Sequence, residues 1–213
     1  MSGAAPTGLR SFLALDTRSG RRVVIREITG DDPAQQRTAL RMMPDLIHPL
    51  VVRFSDFFSE GGSNFVVRDY VPGRSLADVI TKSPGLPLNR VVRIGAKVSD
   101  ALATAHNLGI IHGGLRPSNI VLTSPSGLKV TDFGLAGLGG VRHEHSEFTP
   151  PEWRGSGALD PRSDLFSLGA TLCNMASPEP HGSLNTSLRR VDSPHFRRIL
   201  QKMIEPMITI EAD

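Results

Sequence analysis

The apolar residues of this chain change their period part-way along it, and that change limits what it can fold into. Before Pro72-Gly73 they come in short runs, Phe12-Leu13-Ala14-Leu15, Val23-Val24-Ile25 and residues 51–58 and 65–71, each bounded by turn-forming residues. Such runs predict strands. Asp16-Thr17-Arg18-Ser19-Gly20 reads as the turn of one hairpin and residues 59–64 as the loop of a second. One helix is expected over residues 33–43, signalled by Asp31-Asp32-Pro33 and broken by Pro44. After Gly73 the spacing becomes helical. Leu76, Val79 and Ile80 share one helix face, and Val91, Ile94, Val98, Leu102 and Ala105 repeat across residues 91–108. Residues 163–175 form a third helical stretch, apolar enough to be buried. Two very short strands, 120–122 and 128–130, flank the turn Ser124-Pro125-Ser126-Gly127. The expectation is an irregular or disordered stretch at 1–9, a β-rich lobe with one helix at 10–71, and a mainly helical lobe at 72–213, hinged near Asp69 to Gly73.

Composition narrows the function classes. With 24 Lys+Arg against 21 Asp+Glu, the 213 residues carry a formal charge of only +3, so neither a nucleic-acid-coating surface nor an acidic disordered tail is indicated. At 39% hydrophobic and 21% charged residues, disorder of the whole chain is excluded. The single cysteine, Cys173, cannot form an internal disulfide, and no signal-peptide pattern opens the chain, so a cytoplasmic location is expected. The longest uncharged apolar stretch, 165–178, is shorter than the ~20 residues a bilayer-spanning helix needs. His143 and His145 suggest a metal site, but Cys173 sits on a different, buried helix and no carboxylate cluster accompanies them, so no zinc is expected. Arg189-Arg190 and Arg197-Arg198 read as solvated faces.

Two segments carry the chemistry: Ile110-Ile111-His112-Gly113-Gly114-Leu115-Arg116-Pro117-Ser118-Asn119-Ile120, and Thr131-Asp132-Phe133-Gly134-Leu135-Ala136. In these the chain resembles the protein-kinase family, nearest in style to bacterial Ser/Thr kinases. The resemblance extends to Val23-Val24-Ile25-Arg26 as the strand of the ATP-binding cation, to His48-Pro49, to Pro150-Pro151-Glu152, and to Ser163-Asp164-Leu165-Phe166-Ser167-Leu168-Gly169 as the buried helix beneath the catalytic loop. It implies an α+β, two-lobed fold, shortened at both ends. It also implies an inter-lobe stack of Phe54, Met43, Phe133 and His112, with Asp164 holding the catalytic-loop backbone.

Set against the family's phosphoryl-transfer machinery, several groups differ. The catalytic loop keeps His112 and Asn119, but the position of the general base is Gly114, and glycine cannot take a proton. The glycine-rich phosphate loop falls on residues 4–11, where Pro6 and Leu9 replace glycines and Ser11 stands at the usual valine, so the first strand of the family is in doubt. Arg26 replaces the ATP lysine, and its helix partner falls on Ala39; a solvated strand-edge arginine is the alternative for Arg26. The degenerate ATP site would comprise Arg26, Val24, Arg68, Asp69, Val71 and Val121. Arg68 stands at the gatekeeper position, reaching into the pocket unless a one-residue slip turns it to solvent. Asn119 and Asp132, the metal-site pair, are retained for metal binding or, equally, for structure. With its helix carboxylate and metal both missing, Arg26 is expected to pair with Asp132. Glu152 is expected to lack its usual arginine, and residues 176–193 leave little room for a substrate-docking helix.

These substitutions lead to an expected pseudokinase, a protein-interaction or allosteric module whose partner is another protein, an active kinase or a signalling protein, with no nucleic acid and no membrane span. No cofactor is expected, and ATP and Mg²⁺ would bind at most weakly. The alternative is a weakly active or atypical nucleotide-dependent Ser/Thr phosphotransferase in which Asn119 and Asp132 still hold a metal-nucleotide. A third is that the chain is one domain of a longer protein.

Overall fold

The computed structural model describes residues 10–28, 45–123, 127–135, 146–154, 159–179 and 184–204. The stretch 1–9, the helix expected at 33–43 with Ala39 and Met43, and His143 and His145 lie outside the described residues.

Strands β1 (Ser11–Leu15) and β2 (Arg22–Ile28) form the expected antiparallel hairpin. Its turn is held by Asp16, whose carboxylate accepts from the Arg18 backbone N–H at 2.9 Å. Strands β3 (Phe54–Glu60) and β4 (Ser63–Asp69) complete a four-stranded sheet in the order β1-β2-β4-β3. The second hairpin differs from expectation. β3 continues to Glu60 and β4 begins at Ser63, so the loop shrinks to Gly61-Gly62, with φ of 58° and 81°. Two consecutive left-handed residues give the turn whose twist matches paired strands, and glycine adopts it without strain. β3 also starts later than expected, because Val51 and Val52 serve another purpose. Val51 bridges in parallel to Val130, and the Val52 N–H donates to the Val130 carbonyl at 2.9 Å, tying the two lobes together.

After the hinge, β5 (Arg74–Ser75), β6 (Ile120–Leu122) and β7 (Leu128–Val130) form a small sheet, the last two at their expected bounds. The helices are α1 (Leu76–Lys82), α2 (Leu88–Asn107), α3 (Pro161–Ala176), α4 (Leu184–Arg189) and α5 (Pro194–Ile204). Ser75 caps α1 by accepting from the Asp78 N–H at 3.1 Å, and Asp160 with Ser163 forms a capping box on α3. α3 is buried on nearly every side, and Phe166, Leu168, Leu172, Cys173 and Met175 all enter the main core. Burial pushes the Cys173 thiol up to about 12. The short α4 occupies the stretch with little room for a helix. Arg197, read as solvated, instead donates to the Val191 carbonyl at 2.6 Å, because the chain before α5 folds back under it. The architecture is α+β, a small antiparallel lobe against a helical one.

Candidate functional site

The site is built upward from α3. Asp164, fully buried, accepts from the backbone N–H groups of His112 and Gly113, each at 2.8 Å, and lies 2.8 Å from His106 Nε2. One carboxylate thus fixes the loop that carries the site, as expected of it; the His106 contact was not anticipated, and its only sequence signal is a histidine in the last turn of α2. Gly113 has a φ of 68°, a left-handed conformation that the loop requires and most side chains resist. His112 is buried, its ring centroid 4.5 Å from that of Phe133. Its Nδ1 accepts from the Gly114 N–H at 3.3 Å, so the neutral ring carries its proton on Nε2. Burial lowers the His112 pKa, against the opposing pull of Asp164 and Asp132. Asn119 donates through Nδ2 to the Gly114 carbonyl at 2.9 Å, so its amide braces the loop. Gly114 itself offers no side chain.

The electrostatic centre is a three-residue cluster. In the β2–β4 register Val24 faces Arg68 and Arg26 faces Val66, which places both arginines on one face of the sheet as diagonal neighbours. Their guanidinium groups converge on Asp132. Arg26 Nη1 lies 2.5 Å from Asp132 Oδ2, and Arg68 Nε lies 3.0 Å from Oδ1. Side-chain exposure is 16% for Arg26, 13% for Arg68 and 4% for Asp132, so the cluster is largely withdrawn from water. This excludes the solvated edge arginine and the one-residue slip. Burial alone would raise the Asp132 pKa, but Arg26 and then Arg68 outweigh it and hold the carboxyl below its ordinary range. Asp132 also has a φ of 66°, strained for a residue with a side chain. The expected Arg26–Asp132 pair is present; the part of Arg68 in it was not expected. Its sequence signal is the two-residue alternation with Val66 on β4.

Of the rest of the expected ATP site, Val24 stands opposite Arg68 in the β2–β4 register. Val24, Val71 and Val121 are half-buried. Asp69 is exposed and pairs with Arg21 at 3.3 Å, while its carbonyl accepts from Arg68 Nη1 at 3.3 Å. Of the inter-lobe stack, Phe133 and His112 are in contact, whereas Phe54 packs against the separate cluster of Ile28, Val66 and Leu135. The irregularity between Phe54 and Asp56 in β3 accompanies this placement. Glu152 takes a hydroxyl partner, Ser163 Oγ, at 2.5 Å. As arranged, the site does not suit a divalent cation. Each oxygen of Asp132 already accepts from a guanidinium, and the two positive charges repel a dication. Among the described residues no group of three or more His, Cys, Asp or Glu gathers elsewhere, and no helix is long and apolar enough to cross a membrane.

A bilobal fold, a loop pinned from below by Asp164, and an Asp-Phe-Gly turn facing it are the arrangement that the sequence motifs imply. The model of the protein kinase domain matches residues 10–208. This chain belongs to the protein kinase family. Similar proteins include a probable serine/threonine-protein kinase of Clostridium perfringens, 37% identical over 62% of this chain and 21% of its own length. A probable serine/threonine-protein kinase of Streptomyces coelicolor is 28% identical over 95% of this chain and 33% of its own length. The serine/threonine-protein kinase PknB of Mycobacterium leprae is 30% identical over 79% of this chain and 30% of its own length. The chain thus spans a third or less of each of these relatives.

Proposed function

We propose that this kinase domain is a pseudokinase, a fold that has lost phosphoryl transfer and works by binding another protein as an interaction or allosteric module in the cytoplasm. The observation that carries the reading is the Arg26–Asp132–Arg68 cluster. The carboxylate that an active relative would offer to a metal here neutralises two arginines and braces the lobes. Gly114 adds to it, since removing a general base alone slows a reaction by about 10² to 10⁴. With the base gone and the metal ligand engaged, the remaining machinery lacks the parts that act as a unit. No resident cofactor is needed for such a role.

The rival, a weakly active or atypical nucleotide-dependent phosphotransferase, draws on the retention of Asn119 and Asp132. A thermal-shift titration with ATP, alone and with Mg²⁺ or Mn²⁺, separates the two. Ligand at ten times its Kd stabilises the folded state by about 1.4 kcal/mol, a readable shift. The pseudokinase reading expects no shift at millimolar nucleotide, or one that the metal does not enhance. A metal-dependent shift accompanied by transfer of phosphate to protein would establish the rival.

A further inference from the structure

The four-stranded sheet has two edges, and they are built differently. At one of them β3 is blunted, because its register shifts between Phe54 and Asp56 and it carries the exposed acids Asp56 and Glu60. Bulges and charges of this kind keep an edge from pairing with another chain. At the other edge β1 reads Ser-Phe-Leu-Ala-Leu, without charge, proline or bulge. Among the described residues no strand pairs with its outer side. Phe12, Leu13 and Leu15 are 44%, 61% and 59% exposed.

The ladder to β2 fixes which backbone groups of β1 are left over. The Glu27 N–H donates to the Arg10 carbonyl at 2.9 Å and the Asp16 N–H to the Arg21 carbonyl at 2.8 Å, so the even-numbered residues turn their backbone toward β2. Ser11, Leu13 and Leu15 therefore turn theirs outward. An antiparallel copy of β1 that uses all three sets Leu13 against Leu13 and Ser11 against Leu15. The same register brings Phe12 opposite Ala14 and, at both ends, Arg10 opposite Asp16. Arg10 holds Glu27 through Nε and Nη2, and Asp16 accepts from the Arg18 N–H and the Ser19 hydroxyl, so neither charge is idle. Their opposite signs favour this register, as cross-strand charges do, while the ladder and the leucines supply the attachment.

We propose that β1 is a self-association edge, through which two copies of this chain pair antiparallel about a two-fold axis at Leu13. The joined sheet then ends in β3 on both sides, so pairing closes at the dimer and does not run on into a fibre. The inference goes beyond the reading of the cleft and needs neither nucleotide nor metal.

The test is sedimentation of the intact chain between about 1 and about 200 µM, where a reversible shift from monomer to dimer is expected. Leu13→Lys and, separately, Leu13→Glu set like charges face to face at the axis, and each should raise the dimer dissociation constant about tenfold. Leu13 is exposed, so neither substitution removes a core contact, and the dilute variants should keep the thermal midpoint of the wild type. An equal mixture of the two variants should dimerise again, because position 13 of one copy meets position 13 of the other. A monomer at every concentration would overturn the proposal and leave the edge to a strand of a different protein. A dimer that both variants keep would place the interface elsewhere, and a mixture that stays monomeric would refute the two-fold register.

Discussion

Arg26 Nη1 on β2 and Asp132 Oδ2 in the loop after β7 stand 2.5 Å apart, joining two lobes through residues 106 positions apart in the chain. A guanidinium left in a cleft without counter-charge is costly, and so is a buried carboxylate. Each therefore resolves the other's burial, and Arg68 completes the neutralisation from β4 at 3.0 Å. The pair occupies the position at which a kinase would present its carboxylate to a metal.

Arg26→Ala should therefore raise Mg²⁺ affinity rather than abolish it, since the substitution releases Asp132 Oδ2. Titration of Mn²⁺, followed by its magnetic resonance signal in wild type and variant, measures this. Tighter binding in wild type than in the variant would contradict the competition.

Asp132→Asn keeps the shape of the side chain and removes the charge that Arg26 and Arg68 share. Breaking a buried pair from one side costs about 3 to 5 kcal/mol, seen as a lower denaturant midpoint. Adding Arg26→Ala to this variant should cost less than the two single effects together, because the second substitution removes a charge already stranded. Strict additivity in the double-mutant cycle would show that the residues do not interact in solution.

Much of this site could be read from the order of residues. Asp164, Phe133 and Arg26 were placed by motif spacing, and the short strands at Ile120–Leu122 and Leu128–Val130 by their turn. What escaped were features set by pairing across the sheet and by folding back of loops. Arg68 joins Asp132 because the β2–β4 register puts it diagonal to Arg26, and no local pattern in β4 names its partner. Val51 and Val52 look like the start of a strand, yet they pair with Val130, a residue distant in sequence. Arg197 is polar and near a chain turn, so only the fold reveals the Val191 carbonyl beneath it.

Phe133 is 1% exposed and rests against the His112 ring, so its truncation opens a cavity in the main core. Phe133→Ala should cost about 3 to 5 kcal/mol, read as a fall in the thermal or urea midpoint. An unchanged midpoint would place the ring outside the core.

Stability should fall on mild acidification because of His112. In the unfolded chain its imidazole takes a proton near its ordinary pKa of 6.5, whereas burial depresses the folded value below that. The unfolded state then binds more protons as pH drops, so the folding free energy declines below about pH 6.5. His112→Phe keeps a buried ring without a titrating group, and its urea midpoint should vary less between about pH 7 and 5 than that of wild type. Parallel profiles for the two proteins would assign the acid sensitivity to other groups.

Gly114→Asp returns a carboxylate to the base position and should still not yield a competent kinase. Both oxygens of Asp132 remain with Arg26 and Arg68, so a new base faces no positioned metal. Groups that act together in phosphoryl transfer do not recover one at a time. Incubation of the variant with radiolabelled ATP, Mg²⁺ and a generic basic protein substrate should therefore leave incorporation at the level of the parent chain. Adding Arg26→Lys and Arg68→Met to the same chain frees Asp132 from one cation and gives the other a form that can serve phosphate, so any transfer should appear first in this triple variant. Robust phosphorylation by Gly114→Asp alone would show that the cluster yields to nucleotide, and the pseudokinase reading would then rest on Gly114 and no longer on the cluster.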